Sequence, residues 1–131
     1  MMTKQYTNYN IPPELPCCGV AVICHVLDKN FKYVFLDVKE NFNKNDDWYG
    51  GMSLPQVLLT LIDHGVDFEE VKKNNQTLYE FAKSAKGEYI INTPLHLQYL
   101  KDGVLYDQTG STTPELSEKK HEKITNIVKI L

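Results

Sequence analysis

The chain has 131 residues, of which 42% are hydrophobic and 24% charged, with a net charge of −3 at pH 7. This is the composition of one ordinary globular domain spanning 1–131, with enough apolar material for one core. The acidic balance excludes the clustered Lys and Arg on which nucleic-acid affinity rests: Lys119, Lys120 and Lys123 alternate with Glu115, Glu118 and Glu122 and read as a solvated face.

No apolar run reaches the roughly 18 residues that a bilayer span needs, and Met1-Met2-Thr3-Lys4-Gln5-Tyr6 carries no apolar signal core. The expectation is a cytoplasmic protein with no membrane partner. Three cysteines, two of them adjacent, do not suit a disulfide framework.

In chain order, residues 1–16 form an extended lead-in, broken by Pro12, Pro13 and Pro16. Residues 17–28 form the first helix, with Val20, Ala21, Cys24 and Leu27 at helical spacing. Cys17 and Cys18 stand at its N-terminus, where unpaired backbone N–H groups and the helix dipole favour a thiolate. Residues 31–38 are rich in aromatic and β-branched types and fit either a strand or a short helix. Residues 39–52 read as a polar loop carrying Trp48-Tyr49-Gly50-Gly51.

Ser53 is an N-cap with Pro55 in the first turn, and Leu54, Val57, Leu58, Leu61 and Ile62 form an apolar stripe that Gly65 ends. Residues 66–71 suggest a short strand. Thr77 caps another helix, which runs to Gly87. Residues 88–93, 95–100 and 104–107 read as strands, with Asp102-Gly103 a strong hairpin signal. A polar loop over 108–122 leads to a closing strand over 124–131. Helices come first and an antiparallel sheet second, which is the α+β pattern.

A two-residue turn at Asp102-Gly103 pairs Lys101 with Val104, Leu100 with Leu105, Tyr99 with Tyr106 and Gln98 with Asp107. His96 and Asp107 are then diagonal neighbours on one face, about 7–8 Å apart at Cβ or less. A carboxylate so placed accepts the Nδ1 proton, orients the ring and leaves Nε2 as a base. Asn92, on the neighbouring strand, is an alternative orienting group. Cys24 reads as core, His25 as packing or surface, His64 as a helix C-terminal complement and His121 as exposed. A zinc site from Cys17, Cys18, Cys24 and His25 fits poorly, because adjacent cysteines lack metal-pair spacing and no second pair exists.

The ordered set Cys18-Gly19, Trp48-Tyr49-Gly50-Gly51, the 53–65 helix, Gly87-Glu88-Tyr89-Ile90-Ile91, His96, Asp102-Gly103 and Tyr106-Asp107 resembles the papain-like cysteine peptidases. It is most similar to their compact bacterial and phage branch, which includes the leader-peptide peptidases of bacteriocin exporters. The likeness spans roughly 12–131.

The resemblance implies N-terminal helices packed on a C-terminal antiparallel sheet. It also implies Cys18 as nucleophile, His96 as general base and Asp107 as its orienting partner, acting on a peptide or protein substrate without metal or cofactor. The family carries a glutamine a few residues before the nucleophile to help hold the oxyanion. This chain has Ile11-Pro12-Pro13-Glu14-Leu15-Pro16 there, with Gln5, Asn8 and Asn10 the nearest amides. That departure motivates an alternative: a catalytically weak or inactive relative that binds a partner, as an accessory protein of a bacterium or of a phage in its host's cytoplasm.

Overall fold

The computed structural model describes residues 9–94 and 96–131. In chain order the elements are α1 (Cys18–Leu27), α2 (Phe31–Asn41), α3 (Leu54–Asp63), β1 (Phe68–Val71), α4 (Leu78–Ala82), β2 (Glu88–Thr93), β3 (His96–Lys101), β4 (Val104–Asp107), β5 (Gly110–Thr112) and β6 (Asn126–Ile130). The architecture is α+β. One antiparallel sheet has the strand order β1-β6-β2-β3-β4-β5, so the last strand of the chain inserts between β1 and β2.

Several local rules hold. Ser53 and Thr77 each cap a helix through a reciprocal box with Gln56 and Glu80. The hairpin register is Lys101 with Val104, Leu100 with Leu105 and Tyr99 with Tyr106. The ambiguous stretch from Phe31 is α2; Val34 and Val38, one turn apart, are its buried positions, which is a helical and not an alternating pattern.

Other expectations are corrected. The helix after Thr77 ends at Ala82, short of Gly87. The presumed loop 108–122 contains β5 and a 3-10 turn at Pro114–Leu116. The short β1 precedes α4 as expected, and otherwise the helices lie N-terminal and the sheet C-terminal.

The sheet is covered on both faces. On one, Ile90, Leu97, Tyr99 and Val128 pack against α1 with Val57 and Leu61 of α3 and Val34 and Val38 of α2. On the other, Ile91, Leu100, Leu105 and Ile127 pack against Leu78 and Ala82 of α4 and against Ile124. The residues from Gly19 to His25 are all buried, so α1 is a central helix rather than a surface one. Its N-terminus comes out at the end of the sheet where β3 begins.

Candidate active site

Cys18 is the first residue of α1, behind the N-cap Cys17. The first backbone bond of the helix runs from Ala21 N–H to Cys17 C=O at 2.9 Å, so the N–H groups of Cys18, Gly19 and Val20 are not used inside the helix. Small residues let the chain close around this point. A Cβ on Gly19 would lie 2.7 Å from Met52 Cβ. Gly50, at φ +108°, passes so near Cys17 that a Cβ there would lie 2.8 Å from Cys17 Cβ. Trp48 fixes the same loop by donating from Nε1 to Gly51 C=O at 2.8 Å.

The β3–β4 hairpin brings the other two groups. His96 opens β3 and Asp107 closes β4. His96 Nε2 lies 3.4 Å from Asp107 Oδ2, and both side chains are largely buried. Asp107 Oδ1 accepts from the Thr109 N–H at 2.8 Å and from the Thr109 hydroxyl at 2.6 Å, which fixes the carboxylate plane. This corrects the expected ring assignment: Asp107 faces Nε2, not Nδ1. The alternative, Asn92, does not orient the ring; its side-chain amide meets that of Asn126 at 3.2 Å on the opposite face of the sheet.

Burial pushes the Cys18 thiol up, but hydrogen bonds from His96 and from the Leu97 and Gly19 backbone outweigh it, so its pKa falls below the ordinary thiol value. Burial pushes His96 down, but hydrogen bonds to Asp107 and Cys18 raise it to about 9. The two shifts act in one direction: both favour the proton on the ring and the negative charge on sulfur. Cys17 and Cys24 are different. Both are fully buried, and burial pushes them up to about 11 and about 12.

Cys18 and His96 line a cleft of about 710 Å³. One wall is the apolar start of α3, with Met52, Leu54, Pro55 and Leu58. The floor is the sheet, with Leu97, Asn92, Asn126 and Glu70. Sequence reading missed Asn126 and Glu70, because the insertion of β6 beside β1 leaves no local signal.

His25 is buried at the edge of the core, with its ring stacked on Tyr99 at 5.5 Å and edge-on to Tyr9 at 5.0 Å, and its Nε2 has no hydrogen-bond partner among the described residues. His64 caps α3 but reaches α2, with Nε2 3.0 Å from Asp37 Oδ2. His121 is exposed. Gln5 and Asn8 lie outside the described residues. Among the described residues no group of three or more His, Cys, Asp or Glu is placed to hold a metal ion. No helix among them is long and apolar enough to cross a membrane.

No family model matches the chain, and neither a curated protein nor a solved structure matches it.

Proposed function

We propose that the chain is a cysteine hydrolase of papain-like type, acting on peptide, isopeptide or related amide bonds. The observation that carries this reading is the chain of contacts from Cys18, at the start of α1, through His96 to Asp107 at the rim of an open cleft. A thiolate held against an imidazolium is the activated form of a sulfur nucleophile.

The sulfur attacks the acyl carbon, and the C–S bond forms as the carbonyl electrons move onto oxygen. The Cys18 N–H, unused inside the helix, helps hold that oxyanion. His96 gives its proton to the leaving nitrogen and the C–N bond breaks. Water, giving a proton back to His96, then attacks the thioester; the C–S bond breaks and the thiolate returns with the carboxylic acid product. Asp107 holds the ring in place throughout. Three free thiols, Cys17, Cys18 and Cys24, suit a reducing cytoplasm.

The test is iodoacetamide at mildly acidic pH, followed by hydrolysis of a peptide mixture. Cys18 is expected to alkylate well ahead of a free cysteine, and Cys18→Ala to abolish hydrolysis. A Cys18 no faster than an ordinary thiol, with no hydrolysis, overturns the reading. A specific observation favours one other: the 11–16 segment has no glutamine for the oxyanion. One lost donor costs about 10²–10³ in rate, and a partner-binding relative would show a reactive Cys18 without turnover.

A further inference from the structure

We propose that Glu70 is a specificity-determining residue of the Cys18 cleft, selecting a peptide with a lysine or arginine a few residues from the bond cleaved. This rests on the hydrolase reading above. The strand register sets out the floor. Leu97 on β3 pairs with Asn92 on β2, and Asn92 pairs with Asn126 on β6. Glu70 on β1 pairs with Val128, two residues from Asn126, so it is diagonal to Asn126 on the same face.

These four residues form one row across the sheet, polar beyond Leu97 and ending in a carboxylate. Facing them is the apolar start of α3. Among the described residues Glu70 is the one carboxylate lining the cleft, and no ion pair joins it to any of them. Lys73 beyond it is engaged, with its ammonium donating to Thr125 C=O at 3.3 Å. An extended chain laid on this floor meets hydrophobic surface on one side, amides beneath, and the Glu70 carboxylate at the far end.

The spacing fixes the scale. From β3 to β1 is three inter-strand steps, roughly 14 Å at about 4.8 Å each. An extended peptide covers that in about four residues, and in fewer when a long basic side chain spans part of it. The cation is therefore placed about two to four residues from the cleaved bond. Glu70 is exposed, so the preference is modest. An exposed ion pair of about 0.2–1 kcal/mol corresponds to at most about a fivefold preference.

The experiment is digestion of a proteome-derived peptide mixture by the whole chain, with cleavage sites read by mass spectrometry. Wild type, Glu70→Gln, Glu70→Lys and Cys18→Ala are compared. The expected result is enrichment of Lys and Arg, about two- to fivefold, at one fixed position from the cut. Glu70→Gln loses it and Glu70→Lys replaces it with Asp and Glu. Cleavage without that enrichment, or with an enrichment that Glu70→Lys leaves unchanged, overturns the role of Glu70 and leaves the hydrolase standing. Cleavage no greater than that of Cys18→Ala overturns the hydrolase reading, and the specificity with it.

Discussion

Asp107→Asn is an isosteric change with a calculable effect. The Oδ1 position accepts two bonds from Thr109, at 2.8 and 2.6 Å, whereas Oδ2 faces His96 Nε2 at 3.4 Å. The oxygen of an asparagine keeps the doubly bonded position, so its NH₂ turns to the ring and a donor meets a donor. The imidazolium loses a hydrogen bond to a charged acceptor, worth about 1.5–3 kcal/mol net. At 1.36 kcal/mol per pH unit, the His96 titration falls by about 1–2 pH units from its raised value. The population of the charged pair relative to the neutral one falls by about 13- to 160-fold.

The assay is NMR titration of the four histidine rings, with iodoacetamide labelling of Cys18 in parallel and a melting curve to confirm that the fold persists. Wild-type His96 is expected to titrate at about 9. A His96 titration that does not move in Asp107→Asn, with unchanged labelling of Cys18, refutes the reasoning.

Three further outcomes are expected. Peptide mapping after brief iodoacetamide treatment at neutral pH finds label on Cys18 but not on Cys17 or Cys24, which are buried and held as thiols at about 11 and about 12; equal labelling of all three would contradict the assignment. Gly19→Ala pushes a Cβ to 2.7 Å from Met52 Cβ and 3.3 Å from Val57 Cγ2, so chemical denaturation should show a loss of about 1–3 kcal/mol. His25, which burial pushes down to about 4, binds a proton in the unfolded chain but not in the folded one between about 4 and its ordinary value of about 6.5. Stability should therefore fall as pH drops through that window, by up to about 1.4 kcal/mol per pH unit. His25→Phe should remove that part of the pH dependence, and equal slopes for the two proteins would show the reading of His25 to be wrong.

What the sequence made legible was what short-range chemistry dictates. Ser53 and Thr77 announce their helices because each side chain bonds its own first turn. Asp102-Gly103 announces its hairpin because Asp102 and Gly103 both adopt positive φ, as a type I′ turn requires. From that one turn the register follows, and with it the approach of His96 to Asp107.

The misses have physical reasons as well. Phe31 to Val38 is open between strand and helix in the sequence because it carries β-forming residue types; tertiary burial of Val34 and Val38 on one stripe makes it helical. β5 is Gly110–Thr112, too short and too polar to show alternation. Which nitrogen of His96 faces Asp107 depends on the rotation of the ring about its side-chain bonds, and no spacing encodes that. Asn126 and Glu70 join the cleft only because β6 enters between β1 and β2, a pairing between strands more than fifty residues apart.

The central claim is that Cys18 is a thiolate because His96 holds the proton. The most direct measurement is the thiolate ultraviolet absorbance of wild type minus that of Cys18→Ala, followed across pH. A thiolate signal already present at mildly acidic pH, diminished there in His96→Ala, is the predicted result. A signal that rises only around the ordinary thiol value of about 8.5, and is indifferent to His96, would contradict the account.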